Sequence, residues 1–303
     1  MQTQTITPVP KTGLKVILWV LVALYTFILP DAIIVYRDIV GFFGQDASGK
    51  VPVLIVVTAG ITYVITVLLS QKSLKNLLYL VPCGVIAFLI MSLVSNPNKH
   101  IHIPEYVLMA WLLFAVLSMD HKGKDIFILI FIYASMLGVV DELEQGINPT
   151  RFYGLSDMIV NSASALIGVF TIMGIKKGLA TDWAWTTRLK EFKVLLWLSL
   201  FGFTGAVIMC VVLFRVQASA DFWGVYPGWL WIWNMLYLIM TPVMIASYRA
   251  TLRKNHPITE GEKVYVLPPE VITARLWVIP LLVILFYMHT LVIYISISGV
   301  KFV

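Results

Sequence analysis

The chain has 303 residues, of which 59% are apolar and only 13% are charged, and its mean hydropathy is +0.88. Soluble domains are about half apolar and about one quarter charged, so this chain has too little polar surface to cover a water-facing globule. The composition predicts a polytopic membrane protein and excludes a soluble enzyme and a disordered chain. A disulfide scaffold is excluded because the only two cysteines, Cys83 and Cys210, lie inside apolar runs.

Nine apolar segments are long enough to cross a bilayer. A hydrocarbon core of about 30 Å requires roughly 20 apolar residues in a helix. By this measure we predict one all-α bundle with nine transmembrane helices, at residues 14–34, 51–70, 76–95, 104–119, 125–143, 156–175, 193–214, 226–247 and 276–297.

The basic residues predict the orientation of these spans. If the N-terminus is cytoplasmic, sixteen of the 22 Lys and Arg residues fall on the inner side, and six fall on the outer side: Arg37, Lys50, Lys99, Arg151, Arg215 and Lys301. This bias predicts an N-in, C-out protein of the inner (cytoplasmic) cell membrane. It also accounts for the net charge of +6, so we expect membrane lipids as partners and no nucleic acid.

Ionisable residues gather at the outer ends of three predicted helices, where such residues are functional candidates by default. The fourth span opens with His102, Glu105 and Tyr106, the fifth ends with Asp141, Glu142 and Gln145, and the sixth opens with Asp157 and Asn161. Spacings of three and four residues place these side chains in pairs on shared helix faces. We therefore expect the three helix ends to converge on one polar pocket.

The turn between the fifth and sixth spans supplies Arg151, the one outer basic residue near these carboxylates. One interpretation is a salt bridge to Asp157 or Glu142 that fixes the turn. The other is that the planar guanidinium binds a phosphate or carboxylate of a substrate. Of the remaining ionisable residues, His289 is expected to hydrogen-bond across helices, and His121 is expected to be solvated in a loop.

Taken in order, these polar motifs resemble the VanZ-like family over roughly residues 76–175. The motifs are His102-x-x-Glu105-Tyr106, Asp141-Glu142-x-x-Gln145, Pro149-x-Arg151 and Asp157-x-x-x-Asn161, although Thr150 stands where the family has Gly. The resemblance implies a link to resistance against the glycopeptide teicoplanin. It divides the chain into two N-terminal helices (1–75), a VanZ-like core of four helices (76–175) and three C-terminal helices (176–303).

Three functions fit these residues, and the sequence leaves open whether the protein is an enzyme. An enzyme would act on a lipid-linked cell-wall or envelope-lipid substrate, because carboxylates beside a His in a poorly hydrated pocket acquire different pKa values. Its candidate residues are, for catalysis, His102, Glu105, Asp141, Glu142 and Asp157, and, for substrate binding, Tyr106, Gln145, Arg151 and Asn161.

A cofactor is not identifiable from the sequence. A divalent metal ion held by His102, Glu105, Glu142 and Asp157 is one option. The alternatives to an enzyme are a non-catalytic binder or transporter of a lipid, glycopeptide or ion, and a structural subunit of a membrane complex.

Overall fold

A computed structural model describes residues 12–44, 49–70, 73–94, 96–149, 151–176, 178–255 and 268–303. All regular elements longer than a single bridge in these ranges are helical, as predicted. The α-helices are α1 (Thr12–Phe43), α2 (Val51–Leu69), α3 (Leu80–Leu93), α4 (His102–Leu117), α5 (Ile126–Ile147), α6 (Leu155–Ile175), α7 (Lys193–Ser219), α8 (Phe222–Val225), α9 (Gly228–Asn255) and α10 (Pro269–Ser298). Short 3-10 helices precede three of them, at Leu74–Tyr79, Pro97–Ile101 and Ala184–Phe192.

Nine helical segments among the described residues are long and apolar enough to cross a membrane, which confirms the predicted number. Their ends extend beyond the apolar runs. The last helix begins at Pro269 instead of 276, because a proline at the first helical position needs no hydrogen-bond acceptor. The fifth continues to Ile147, so Asp141 to Gln145 lie in its last turns.

Large apolar side chains remain exposed along these segments. Leu54, Phe88, Val207, Ile232 and Ile239 are each about half exposed or more. A soluble monomer rarely leaves such continuous apolar surface in water, whereas a bilayer solvates it. The exposed side chains and the nine segments together identify the architecture as that of a multi-pass membrane protein.

The chain divides into two compact units. The first comprises Met1–Ile130 and Ser164–Leu179, and the second comprises Phe131–Ala163 and Ala180–Val303. Two of the boundaries fall within α5 and α6, and the third follows Leu179. The division at 75 and 175 stays a prediction.

Within the first unit, α4 packs against α1 and α2. The hydroxyl of Tyr25 on α1 donates a hydrogen bond to the backbone oxygen of Glu105 (2.9 Å), and the indole of Trp111 donates to Thr171 Oγ1 on α6 (3.1 Å). These bonds attach the neighbouring helices to the first turn and the middle of α4.

Two helices of the first unit approach each other closely at Gly168 on α6. A Cβ atom at this position would lie 2.6 Å from the Ala110 Cβ and 3.1 Å from the backbone oxygen of Val107. Small residues of this kind allow membrane helices to pack backbone against backbone.

Within the second unit, α7, α9 and α10 pack against one another. Phe201 on α7 stacks on Trp233 of α9, with ring centroids 4.5 Å apart. The hydroxyl of Tyr133 on α5 donates to the backbone oxygen of Leu276, which connects α5 with the first third of α10.

We predict that Gly168→Ala lowers the free energy of unfolding by about 1–3 kcal/mol, because the added methyl group meets backbone atoms that cannot move aside cheaply. Thermal unfolding of the detergent-solubilised protein, followed by circular dichroism, measures this. Gly84→Ala is the control, since no atom lies within 4 Å of a Cβ at that position. An equal change in both variants would contradict close packing at Gly168.

The orientation gives a second prediction. Both native cysteines are first replaced by alanine. In intact cells a membrane-impermeant maleimide should label Lys301→Cys and should label Lys190→Cys only after permeabilisation, because the predicted orientation places Lys301 outside and Lys190 in the cytoplasm. Labelling in the reverse pattern would show that the orientation is inverted. Both positions are exposed, so burial does not limit the reaction.

Candidate functional site

In the first unit, the first turn of α4 holds a contact between a histidine and a carboxylate. His102 Nδ1 lies 3.0 Å from Glu105 Oε2, and both side chains are largely buried. Tyr106 follows and is fully buried. The predicted pairing of positions three residues apart is therefore confirmed, and the Glu105 carboxylate lies where the partial positive charge of a helix N-terminus favours it.

In the second unit, a buried chain of hydrogen bonds connects the end of α5 with the following turn. Gln145 Nε2 donates to Asp141 Oδ1 (3.0 Å), and Arg151 Nη2 donates to Gln145 Oε1. Asp141 and Gln145, four residues apart, thus share a helix face as the spacing predicts. Arg151 is therefore connected with the Asp141 carboxylate by way of the Gln145 amide, which bonds to both.

The remaining carboxylates of this region have partners of different kinds. Glu142 is 0% exposed, and its Oε2 accepts a hydrogen bond from the backbone N–H of Gly154 (3.1 Å). Asp157 is buried in the first turn of α6 and accepts from Ser156 Oγ (3.3 Å). The buried amide of Asn161 donates to the backbone oxygen of Gly138 on α5. These polar residues lie in the last turns of α5, the following turn and the first two turns of α6, and we refer to them as the Arg151 cluster: Asp141, Glu142, Gln145, Arg151, Asp157 and Asn161.

One donor of the Arg151 cluster is unsatisfied. Arg151 is 9% exposed, and among the described residues its Nη1 has no hydrogen-bond partner although it is shielded from solvent. An unpaired buried donor on a charged group carries a desolvation cost of several kcal/mol unless an acceptor approaches it. Phosphate and carboxylate oxygens fit a guanidinium best.

The last residues of the chain close over the same turn, and sequence reasoning did not assign them. The Val303 N–H donates to the Gly146 oxygen, and the Tyr153 N–H donates to the Val303 oxygen, both at 2.9 Å. The Phe302 ring, 2% exposed, lies 5.1 Å from the Tyr153 ring. A Cβ atom at Gly146 would be only 2.3 Å from the Phe302 ring, so this position admits no side chain. The only feature of the sequence that could have indicated this closure is an aromatic residue, Phe302, just beyond the last apolar segment.

Tyr153 links this closure to α7. Burial raises the pKa of the Tyr153 phenol, and the neighbouring Cys210 and Glu142 raise it further. The hydroxyl therefore keeps its proton and donates to the backbone oxygen of Cys210 (3.1 Å). The ring also packs 4.5 Å from that of Phe214.

Predictions from the sequence also concern His289 and His121, and the structure confirms the first and contradicts the second. His289 is hydrogen-bonded across helices as predicted, with Nδ1 2.8 Å from Asn234 Oδ1 on α9 and Nε2 3.0 Å from the Gly202 oxygen on α7. The prediction for His121 is wrong. It is buried and lies 2.9 Å from the Asp125 carboxylate, because the loop between α4 and α5 folds back on itself over Gly123.

The predicted single pocket cannot be assembled from either unit alone. His102, Glu105 and Tyr106 belong to the first unit, and the Arg151 cluster belongs to the second. Their convergence stays a prediction, and Thr150 lies outside the described residues. Nowhere in the described ranges do three or more His, Cys, Asp or Glu side chains come together as metal ligands.

No protein-family model, no curated protein and no solved structure matches the chain. The resemblance to the VanZ-like family therefore rests on the spacing of its polar motifs alone and stays a prediction.

We predict that Phe302→Ala destabilises the second unit by about 3–5 kcal/mol, since it empties a buried aromatic site against Gly146 and Tyr153. Thermal unfolding in detergent, followed by near-ultraviolet circular dichroism, reports the loss. Phe152→Ala is the matched control, because Phe152 lies in the same turn but is 75% exposed. Equal melting temperatures for Phe302→Ala and the control would show that the C-terminal residues do not close the turn.

Proposed function

We propose that this chain is a multi-pass protein of the cytoplasmic membrane that binds the anionic headgroup of an envelope lipid or a lipid-linked cell-wall intermediate at the Arg151 cluster. The observation that carries the proposal is the unsatisfied, buried Nη1 of Arg151. The group that satisfies it must supply acceptor oxygens, and a phosphate also neutralises its charge.

The surrounding geometry suits an oriented headgroup. Gln145 holds one nitrogen of the guanidinium, so the other keeps a fixed direction. The Glu142 carboxylate is held by the Gly154 N–H in the same turn. Glu142 is then the candidate acid or base for chemistry on a lipid bound at Arg151. The proposed VanZ-like relationship and its link to teicoplanin concern these same residues.

A second candidate is a structural role, and a specific observation favours it. The Asp141–Gln145–Arg151 chain and the Glu142–Gly154 bond pair most of the cluster internally. Networks of this kind also fix the packing of helices without binding anything.

Variants of Arg151 and Glu142 separate these functions. For headgroup binding, we expect Arg151→Gln and Glu142→Gln to accumulate in the membrane at the wild-type level and to reproduce the lipid profile of a deletion strain. Mass spectrometry of extracted envelope lipids and immunoblotting of the same membranes provide the two measurements. Arg215→Gln, which removes an exposed cation from the same unit, is the control and should match the wild type.

The outcomes are distinct. A lipid-linked precursor that accumulates with Glu142→Gln as well as in the deletion strain supports chemistry on the lipid. If the deletion strain has an unchanged lipid profile, headgroup binding in the cell is refuted. If Arg151→Gln instead lowers the amount of protein by breaking the cluster, the structural role is supported.

A further inference from the structure

The opposite end of the second unit carries an aromatic and basic surface that the proposed function does not use. The 3-10 helix Ala184–Phe192, hereafter the interface segment, packs against α7 and α10. Its Trp185 stacks on Trp277 of α10, with ring centroids 4.9 Å apart and an interplanar angle of 11°. Its last residue, Phe192, lies 4.9 Å from the Tyr248 ring near the end of α9.

This surface lies far from the Arg151 cluster. The interface segment adjoins the first residues of α7, whereas Tyr153 contacts Cys210 and Phe214 in the second half of that helix. The helix rises by about 32 Å from Lys193 to Phe214, which is close to the thickness of the hydrocarbon core. The two regions therefore belong to opposite membrane interfaces.

The two ends also carry opposite charge. At the interface segment the described side chains include five cations and three carboxylates: Arg188, Lys190, Lys193, Arg249 and Arg275, against Asp182, Glu191 and Glu270. At the other end the numbers are reversed, with Arg151, Arg215 and Lys301 against Asp141, Glu142, Glu144, Asp157 and Asp221. Arg188 is paired with Glu191 at 3.0 Å, and the other four cations are exposed.

Three buried donors at this end have no acceptor among the described residues. They are Trp185 Nε1, Trp277 Nε1 and Tyr248 Oη, and Trp185 as a whole is only 6% exposed. This end of the unit therefore combines unsatisfied donors in its interior with exposed cations, and a ligand with acceptor oxygens and negative charge is complementary to both. The phosphate and ester oxygens of a phospholipid are acceptors only.

We propose that the interface segment, together with the starts of α7 and α10 and the end of α9, binds the headgroups of anionic phospholipids. The exposed Trp183 and Trp197 flank this surface, and tryptophan is typical of the depth at which headgroups lie. Basic residues beside a membrane helix attract anionic lipids of the cytoplasmic leaflet. A lipid is favoured over an acidic soluble partner because apolar side chains such as Val194 are exposed directly beside the cations.

The test compares two matched pairs of cations. Lys193→Gln with Arg275→Gln removes exposed cations at the starts of α7 and α10. Arg215→Gln with Lys301→Gln removes exposed cations at the opposite ends of the same helices. The purified full chain is titrated in detergent with phosphatidylglycerol or with phosphatidylcholine, and native mass spectrometry counts the lipids retained.

We expect the wild type to retain phosphatidylglycerol in preference to phosphatidylcholine. The first double variant should weaken phosphatidylglycerol binding by about fivefold for each cation removed, while the second leaves it unchanged. Added salt should weaken the binding to the wild type, because exposed charges are screened. This salt dependence needs no substitution, so it tests the proposal even if a variant folds poorly.

Equal retention of the two lipids, equal weakening by the two double variants, or binding that is insensitive to salt would each overturn the proposal. Arg151→Gln should keep the phosphatidylglycerol binding that depends on Lys193 and Arg275. Failure of the headgroup site at Arg151 is thereby distinguished from failure of this surface.

Discussion

The hydrocarbon core of a bilayer contains no water that could replace a missing hydrogen bond, and this constraint determines where every polar group of the chain lies. Backbone groups in lipid must be satisfied within their own helix. The same holds for small polar side chains that face lipid. Thr62, Ser92 and Thr204 are exposed on their spans, and each hydroxyl donates to the carbonyl oxygen four residues earlier. Each of these three hydroxyls therefore has an acceptor within its own helix although it lies on the apolar surface of a span.

Longer polar side chains cannot be satisfied in this way, so they lie in networks between helices or near helix ends. His289 is an example of the first kind, since its two nitrogens face acceptors from α7 and α9. A neutral imidazole donates through only one nitrogen, so the Asn234 amide must turn its nitrogen towards His289 if the ring is neutral. The oxygen of the Asn234 amide would then accept a hydrogen bond from the Tyr226 hydroxyl, which lies 2.6 Å from this amide. That arrangement satisfies the network without burying a charge.

The Arg151 cluster is an example of the second kind, and it shows how far sequence reasoning extends. The pairs His102–Glu105 and Asp141–Gln145 were predictable because each lies within one helix, where spacing alone fixes which side chains share a face. Asp157 and Asn161 have the same spacing, but the Asn161 amide donates to Gly138 on another helix. The bonds of Gly154 to Glu142 and of Val303 to Gly146 join positions distant in sequence, and no local pattern indicates them.

The number of spans was predictable for a different reason. Hydropathy measures the transfer of a segment into lipid, which depends on composition rather than on neighbours. Helix ends depend on local chemistry outside the lipid, and α10 accordingly begins at a proline followed by Glu270, which hydropathy does not detect as part of a span. The stack of Trp185 on Trp277 was likewise not predictable, because it depends on how the interface segment lies against α10.

The two ends of the second unit differ in how their charged side chains are stabilised. At its acidic end most of the carboxylates are buried and Phe302 closes the turn, whereas its basic end leaves four cations exposed. Exposed charge at a membrane surface is stabilised by lipid headgroups and water, so it requires no protein partner. Buried charge requires one, and the density of hydrogen bonds around Asp141, Gln145 and Arg151 follows from that requirement. The guanidinium nitrogen that stays unsatisfied after this pairing is the donor to which the proposed headgroup would bind.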